Sequence, residues 1–260
     1  MTRVISKDGT AIAFDRSGRG RPLILVDGAL CSRSFGPMPK LAPLLAPHFT
    51  VYTYDRRGRN ESGDTPPYAV AREVEDLAAL IDDAGGSAFV YGVSSGAALA
   101  LEAAARGLRI EKLVLYEPPF VVDGNRRRPA DHVAHLNRFV SAGRRGGAVR
   151  YFMTKMVGIP ALFVLAMRLM PMWSKLEAVA HTLPYDAAIV LDESLLGERA
   201  ARVRVPTLVM GGGKSPAALR HAVEAVGEVV PGAHRRFLEG QTHNVKAEAL
   251  APALVEYFAG

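Results

Sequence analysis

The sequence has a single cysteine, Cys31, among its 260 residues, so no disulfide can form within the chain. The absence of disulfides is typical of proteins from a reducing compartment. The first ten residues also lack the apolar run of a signal peptide, and they contain instead an Asp-Gly pair, at 8–9, that is typical of a hairpin turn. We therefore expect a cytoplasmic protein.

Long hydrophobic runs are missing as well. The longest apolar stretch, at 157–170, is too short to span a bilayer and is interrupted by Pro160 and Arg168. No group of His, Cys and Asp residues has the spacing of a metal site, and the chemistry predicted below requires no cofactor. The sequence therefore predicts no membrane span, no metal and no cofactor.

Acidic residues are outnumbered, with 26 Asp and Glu against 32 Lys and Arg, which gives a net charge of +6. The basic residues are spread along the chain, and few of them alternate with aromatic residues as they do in nucleic-acid-binding proteins. The one dense cluster, at 126–128, is followed by Pro129 and is most simply a solvated loop. We expect no nucleic-acid partner.

Short apolar runs alternate with amphipathic segments over most of the chain, which predicts a mostly parallel sheet covered by helices on both faces. The predicted strands are 11–15, 23–26, 51–54, 88–91, 113–116, 207–210 and 234–238. The predicted helices are 38–45, 70–83, 96–106, 216–229 and 246–258.

The alternation is interrupted between residue 118 and about residue 200. Here the sequence has no convincing buried strand, and its pattern predicts helices. We interpret residues 118–200 as a helical cap inserted into a core formed by residues 1–117 and 201–260. The cap sequence is rich in methionine, which predicts either a deformable apolar pocket or the packing of the cap onto the core. These residues are Met153, Met156, Met167, Met170 and Met172, with Trp173 beside them.

The pattern with the most chemical content is Gly-x-Ser-x-Gly at 92–96. It follows an apolar strand pattern and precedes an alanine-rich helical pattern, which is the order of a nucleophile elbow. In such an elbow a sharp strand-to-helix turn exposes the central hydroxyl, and the start of the helix stabilises negative charge on the reacting oxygen. The pattern predicts Ser94 as a nucleophile.

A serine nucleophile needs a histidine that accepts its proton. Of the seven histidines, His243 lies between the last predicted strand and the last predicted helix, where a loop returns to the carboxyl edge of the sheet. We therefore predict His243 as the general base. An oxyanion needs two fixed backbone N–H donors. We predict them at Ser95 and at Ala29, in the loop after strand 23–26, with Leu30 as the neighbouring alternative.

Taken together, these residues resemble an α/β-hydrolase of the serine-esterase type. The resemblance covers nearly the whole chain, and it implies the α/β-hydrolase fold, with a mostly parallel central sheet, flanking helices and an inserted helical cap. The motifs that carry it are Asp-Gly at 27–28, where the family usually has His-Gly, the segment 54–63, the elbow, the segment 205–211 and Gly-Gln-Thr-His at 240–243. Within 54–63, we expect Asp55 and Arg57 to fix a turn beside the elbow through a charge-assisted hydrogen bond.

The triad acid departs from the family pattern. Most members carry it after the next-to-last strand, where this chain has Lys214, a cation that would oppose a protonated histidine. Some relatives, including certain haloalkane dehalogenases, carry the acid one strand earlier, and here Glu117 occupies that place and precedes two prolines. We predict Glu117 as the acid. Asp192, Glu193 and a dyad without an acid remain alternatives.

Ser94 at the elbow argues against dehalogenase and epoxide hydrolase chemistry, which use an aspartate there. The sequence therefore predicts a serine hydrolase that cleaves a carboxylic ester, a lactone or a thioester of a small, largely apolar substrate, in a monomer or a homodimer. The alternatives are other serine-dependent chemistry at the same site (an acyltransferase, a C–C hydrolase or a cofactor-free perhydrolase) and a catalytically silent ligand-binding protein of this fold.

Overall fold

A computed structural model describes residues 2–120, 131–192 and 194–260. Eight strands form one sheet in the order β1-β2-β4-β3-β5-β6-β7-β8. The strands are β1 (Thr2–Ile5), β2 (Ala11–Gly18), β3 (Pro22–Val26), β4 (Thr50–Tyr54), β5 (Ala88–Val93), β6 (Ile110–Tyr116), β7 (Thr207–Gly212) and β8 (His234–Leu238). The predicted cluster at 126–128 and the alternative acid Glu193 lie outside the described residues.

The sheet is mostly parallel, as predicted. Strands β1 and β2 form an antiparallel hairpin around the predicted turn, and β2 also runs antiparallel to β4. Every other neighbouring pair, from β4–β3 to β7–β8, is parallel. All six residues of β5 are buried, because helices cover this central strand on both faces.

Helices flank both faces of the sheet. The helices of this layer are α1 (Met38–Leu45), α2 (Val70–Asp83), α3 (Ser95–Ala105), α9 (Ala217–Val229) and α10 (Ala247–Ala259). Buried side chains of α2, α3 and α9 form one apolar core with the sheet, and those of α1 and α10 form a second one. The five predicted helices are therefore confirmed, with ends that differ by one residue at most.

A helical insertion separates β6 from β7. Its α-helices are α4 (His132–Ser141), α5 (Arg145–Tyr151), α6 (Ala161–Met167), α7 (Met172–Val179) and α8 (Leu183–Val190), and short π- and 3₁₀-helical turns join several of them. The insertion has its own apolar core, which includes Leu136, Val149 and Leu176 and also the core residue Leu30. The insertion thus packs onto the loop that follows β3.

Parallel strands bring their carboxyl ends to one edge of the sheet, and open α/β sheets bind ligands there. Asp27 follows β3, Ser94 follows β5 and Glu117 follows β6, while His243 lies in the loop after β8. The fold therefore gathers the predicted functional residues at this edge. Among the described residues, no helix is long and apolar enough to cross a membrane.

Candidate active site

Ser94 occupies a strained turn between β5 and α3. Its backbone has φ 56° and ψ −125°, a conformation that costs a non-glycine residue free energy and is found mainly at functional sites. A side chain at Gly92 would lie 2.5 Å from the carbonyl oxygen of Gly96, and one at Gly96 would lie 2.3 Å from the carbonyl oxygen of Val26. The two glycines of the motif are thus required because the backbone of the turn packs against itself and against β3.

Neighbouring backbone holds the turn in place. The N–H group of Ser94 donates a hydrogen bond to the carbonyl oxygen of Tyr116 at the end of β6, at 2.9 Å. Helix α3 begins at the next residue, Ser95, whose backbone N–H group lies in the first turn and has no partner within the helix. The positive end of α3 therefore lies beside Ser94, as predicted for an elbow.

Glu117 and His243 form a hydrogen-bonded pair. Oε2 of Glu117 lies 2.7 Å from Nδ1 of His243, and Oε1 accepts a hydrogen bond of 2.7 Å from the backbone N–H of Gly212. The Glu117 side chain is fully buried, whereas the His243 side chain is 36% exposed. A carboxylate at Nδ1 favours the tautomer in which Nδ1 carries the proton and Nε2 is free to accept one.

The alternative acid that the structure describes, Asp192, has other partners. Asp192 accepts hydrogen bonds from Ser194 and forms an ion pair with Arg199, and these contacts hold the pKa of its carboxyl below the usual value against the effect of burial. Lys214 is exposed, and its backbone N–H donates to the carbonyl oxygen of Gln241. Among the described carboxylates, the one that contacts His243 is therefore Glu117.

The loop after β3 approaches the elbow from the other side. A side chain at Gly28 would lie 3.1 Å from Cβ of Ser94, so the loop passes directly over this serine. Ala29 and Leu30 line the same cavity as Ser94, and Leu30 has a left-handed backbone with φ 62°. Backbone N–H groups of this loop are thus near enough to the turn to serve as hydrogen-bond donors to a bound molecule.

Ser94 and His243 both line a cavity of about 500 Å³. A volume of this order is typical of small-molecule sites. Apolar side chains from the helical insertion form one side of it: Phe152, Met153, Val157, Ile159, Met172 and Leu176. Two of the five methionines noted in the sequence thus line the cavity, whereas Met156 and Met167 pack within the insertion and Met170 is exposed.

Asp27 occupies the position after β3 where the resemblance noted in the sequence implies a histidine. It is buried, its Oδ1 accepts a hydrogen bond of 2.9 Å from the backbone N–H of Gly28, and it belongs to the lining of the cavity. Burial raises the pKa of this carboxyl to about 7, although the Gly28 N–H and the charges of Arg59 and Arg56 act in the opposite direction. The group therefore binds a proton in the folded protein at pH values where it is ionised in the unfolded chain.

Replacing Asp27 by Asn is expected to change how stability depends on pH. Between about pH 4 and pH 7 the folded state of the wild type keeps the proton that the unfolded state has lost. The Asp27 contribution to the free energy of unfolding therefore falls as the pH rises through this range, by up to about 1.4 kcal/mol per pH unit. In urea unfolding at pH 4.5 to 7.5, the free energy of unfolding of Asp27→Asn should increase relative to that of the wild type as the pH rises.

The exposed Asp15, replaced by Asn, is the matched control for this series, because its side chain is 66% exposed. Its unfolding curve should run parallel to that of the wild type over the same pH range. If the Asp27→Asn and wild-type curves of stability against pH were also parallel, the inference that burial raises the pKa of Asp27 would be wrong.

A buried ionic network, which we did not predict from the sequence, lies beneath the elbow. Asp186, in α8 of the helical insertion, accepts hydrogen bonds from Arg56 at 2.7 Å and from Arg59 at 2.8 and 2.9 Å. It also accepts one of 2.7 Å from the hydroxyl of Ser95, the residue after the elbow serine. The charges of Arg59 and Arg56 hold the pKa of Asp186 below its usual value, although burial alone would raise it.

The same arginines hold the loop after β3. Arg59 donates hydrogen bonds to the carbonyl oxygens of Gly28 and Cys31, and Arg56 donates one to that of Asp27. Arg56 is also paired with Glu73 of α2 through two hydrogen bonds. One network thus joins the helical insertion, Ser95 and the loop that passes over Ser94.

The hydrogen bond expected between Asp55 and Arg57 does not form. Arg57 pairs with Asp76 of α2 and with Asp8 of the hairpin, while Asp55 pairs with Arg33. The segment 54–63 does fix a turn beside the elbow, but Arg56 and Arg59 are the residues that reach it. The segment is rich in arginine, and Arg56, Arg57 and Arg59 are all buried, but the sequence does not show which of them reach the elbow.

The comparisons with known proteins agree with the fold. A family model described as "Alpha/beta hydrolase family" matches residues 18–253. The crystal structure of an alpha/beta hydrolase from Sphaerobacter thermophilus is similar, with 54% sequence identity, a TM-score of 0.92 and coverage of 99% of this chain and 100% of that chain. No curated protein matches the chain in sequence.

More distant structures share the fold alone. A thermophilic esterase from Thermogutta terrifontis is 22% identical with a TM-score of 0.75, and the match covers 99% of this chain and 97% of that chain. An esterase from Exiguobacterium antarcticum is 20% identical with a TM-score of 0.77, and the match covers 100% of this chain and 99% of that chain. The family match and the identity to the Sphaerobacter protein both extend over most of the sequence, and the chain therefore belongs to the alpha/beta hydrolase family.

Proposed function

We propose that this protein is a serine hydrolase that cleaves carboxylic esters of small, largely apolar molecules through an acyl ester on Ser94. The observation that carries the proposal is the Glu117–His243 pair, which opens onto the same cavity as a serine at a strained elbow. An imidazole that is oriented by a buried carboxylate, and that shares a cavity with a half-buried serine hydroxyl, is an arrangement that can activate the serine for acyl transfer.

In the proposed reaction, Nε2 of His243 accepts the proton of the Ser94 hydroxyl as Oγ forms a bond to the ester carbonyl carbon. The carbonyl oxygen becomes an oxyanion, which the backbone N–H groups of Ser95 and Ala29 stabilise by hydrogen bonds. The protonated His243 then donates its proton to the departing alkoxide, so that the ester C–O bond breaks and an alcohol leaves. The acyl group remains on Ser94.

Water completes the cycle by the same steps. His243 accepts a proton from a water molecule as the water oxygen attacks the acyl carbon, and the proton then passes to Oγ of Ser94 as the acid departs. Glu117 acts throughout on His243: it keeps the proton at Nδ1 and stabilises the imidazolium that forms in each half of the reaction.

The cavity lining supports an apolar substrate of limited size. Most side chains on the insertion side are apolar, among them Phe152, Ile159 and Leu176, and the volume is about 500 Å³. We propose that the helical insertion acts as a cap on a core made of residues 1–117 and 201–260, and that it supplies the surface for the acyl or alkyl chain. Met153 and Met172 would let that surface adapt to chains of different shape.

A fluorophosphonate probe tests the nucleophile directly. Wild-type protein should take up one equivalent of probe, and mass spectrometry of the labelled peptide should locate it on Ser94. Ser94→Ala should stay unlabelled, while Ser17→Ala, which changes an exposed serine of β2, should still be labelled and is the matched control. An unlabelled wild type, or equal labelling of Ser94→Ala, would rule out the proposed function.

A series of p-nitrophenyl esters from acetate to decanoate then tests the substrate class. We expect kcat/KM to be highest for short and medium acyl chains, because the cavity is closed on one side by the insertion. Parallel assays with an acceptor alcohol and with peroxide separate hydrolysis from acyl transfer and from perhydrolysis. Transfer to either acceptor in preference to water would replace the hydrolase assignment by one of those activities.

A further inference from the structure

Charge is distributed unevenly over the helical insertion. Between residues 132 and 176 the sequence has no Asp or Glu, although the whole chain has 26 of them. The same stretch carries seven basic residues: Arg138, Arg144, Arg145, Arg150, Lys155, Arg168 and Lys175. This part of the insertion therefore carries a strong excess of positive charge, because it has no carboxylate side chain of its own.

Four of these arginines line one surface groove. Arg144, Arg145, Arg150 and Arg168 are all exposed and surround a depression of about 630 Å³ between α5, α6 and α7. The acidic residue in the lining of the groove, Glu177, accepts a hydrogen bond of 2.7 Å from the indole N–H of Trp173. One carboxylate therefore faces four exposed guanidinium groups, and the groove keeps a net positive charge.

Exposed apolar side chains lie next to this groove. Of nine large hydrophobic residues that are exposed in the described part of the chain, six belong to the segment 157–170. Leu169 is 91% exposed and Leu162 is 76% exposed. The other four are Val157, Phe163, Leu165 and Met170. Arg168 belongs to the groove and also follows α6, so the apolar patch and the basic groove are continuous.

We infer that this face of the insertion, formed by the apolar patch at 157–170 and the four-arginine groove, binds an anionic lipid surface. Apolar side chains of such a face enter the boundary between head groups and acyl chains, while arginines pair with lipid phosphates. Charge favours this occupant over a second copy of the chain, because a symmetric dimer would place the same arginines of both copies close together. A nucleic acid would leave the apolar patch exposed to water.

The face is also close to the cavity described above. Val157 belongs to the apolar patch and to the lining of the cavity that contains Ser94. A protein bound to a lipid surface through this face would therefore hold one wall of its cavity next to the apolar phase. Apolar molecules dissolved in the lipid would reach the cavity without crossing bulk water.

Vesicle cosedimentation tests the inference without any assay of activity. Full-length protein is mixed with vesicles of phosphatidylcholine alone or with vesicles that contain three parts of phosphatidylglycerol to seven of phosphatidylcholine. We expect binding to the anionic vesicles to be at least ~10-fold tighter than to the neutral ones, and to weaken as salt is added. A failure of the esterase proposal would leave this result unchanged.

Two double variants separate the two parts of the face. Leu162→Ser/Leu169→Ser removes apolar area, and Arg144→Gln/Arg145→Gln removes charge; each should weaken binding to anionic vesicles ~10-fold or more. Matched controls outside the insertion are Ile5→Ser/Leu44→Ser and Arg19→Gln/Arg220→Gln, which change exposed residues of the same kinds. The controls should bind as the wild type does.

Three outcomes would overturn the inference. The first is an absence of binding to anionic vesicles at low salt. The second is equal loss in the control variants, since it would mean that total charge or apolar area matters and this face does not. The third is a dimer, measured by sedimentation without vesicles, that Leu162→Ser/Leu169→Ser dissociates, because the patch would then bind a second copy.

Discussion

Glu117→Gln is expected to lower kcat for ester hydrolysis by about 10⁴-fold with little change in KM. Gln has the size of Glu, and its carbonyl oxygen can still accept the hydrogen bond from the Gly212 N–H. Its amide nitrogen then faces Nδ1 of His243, where the carboxylate oxygen lay at 2.7 Å. An amide donor at that position favours the tautomer with the proton on Nε2, so the imidazole can no longer accept the proton of Ser94.

The size of this effect rests on the corresponding acid-to-amide substitution, Asp to Asn, in the triad of a serine protease, where the wrong tautomer lowers turnover by about 10⁴-fold. Asp192→Asn is the matched control, because it also replaces a carboxylate by an amide, at the alternative triad acid that the structure describes. Its kcat should stay within about twofold of the wild type. A fully active Glu117→Gln together with an inactive Asp192→Asn would transfer the role of the acid to Asp192.

Stability measurements make the Glu117 result interpretable. Gln retains the buried hydrogen bond to Gly212, so urea unfolding of Glu117→Gln should give a midpoint close to that of the wild type. A large loss of stability would mean that low activity reflects unfolding. A stable variant with low kcat and unchanged KM would show that Glu117 acts on the transition state alone.

Local patterns were sufficient to predict the sheet and the elbow. In the parallel part of the sheet the strands are short and mostly apolar, and helices separate each strand from the next along the chain. This alternation is visible in local sequence patterns and predicts a parallel sheet. The elbow motif at 92–96 is local in the same sense. Glu117 and His243 were predicted because the carboxyl ends of parallel strands meet, and the structure brings these two side chains into contact.

The ionic network was not predictable, because its partners are distant in sequence. Asp186 is 127 residues from Arg59, and it lies in a helix whose other residues are largely apolar. An isolated carboxylate in such a helix has no sequence pattern that identifies its partners. The methionines of the insertion show a similar limit, because their spacing does not reveal that Met153 faces the cavity while Met170 faces solvent.

Asp186→Ala is expected to lower the free energy of unfolding by about 3–5 kcal/mol, which is the usual effect of removing one partner of a buried ion pair. The side chains of Arg56, Arg59 and Asp186 are each 1% exposed, so neither arginine can recover the lost contact from water. Arg56 keeps Glu73, but among the described residues Asp186 is the carboxylate that pairs with Arg59. Since whole domains are stable by about 5–15 kcal/mol, this single change removes a large share.

Urea unfolding at neutral pH measures the loss, and two comparisons identify its cause. Asp82→Ala breaks an ion pair between Asp82 and Arg109, in which both side chains are 68% exposed. It should lower the free energy of unfolding by less than about 1 kcal/mol. Asp186→Leu/Arg59→Met removes both charges of the buried pair and should be more stable than Asp186→Ala, because no unpaired arginine remains at position 59. If Asp186→Ala cost no more than Asp82→Ala, the network would not hold the insertion onto the core. If the double variant were the less stable of the two, the loss would come from packing, and the buried charge of Arg59 would not be its cause.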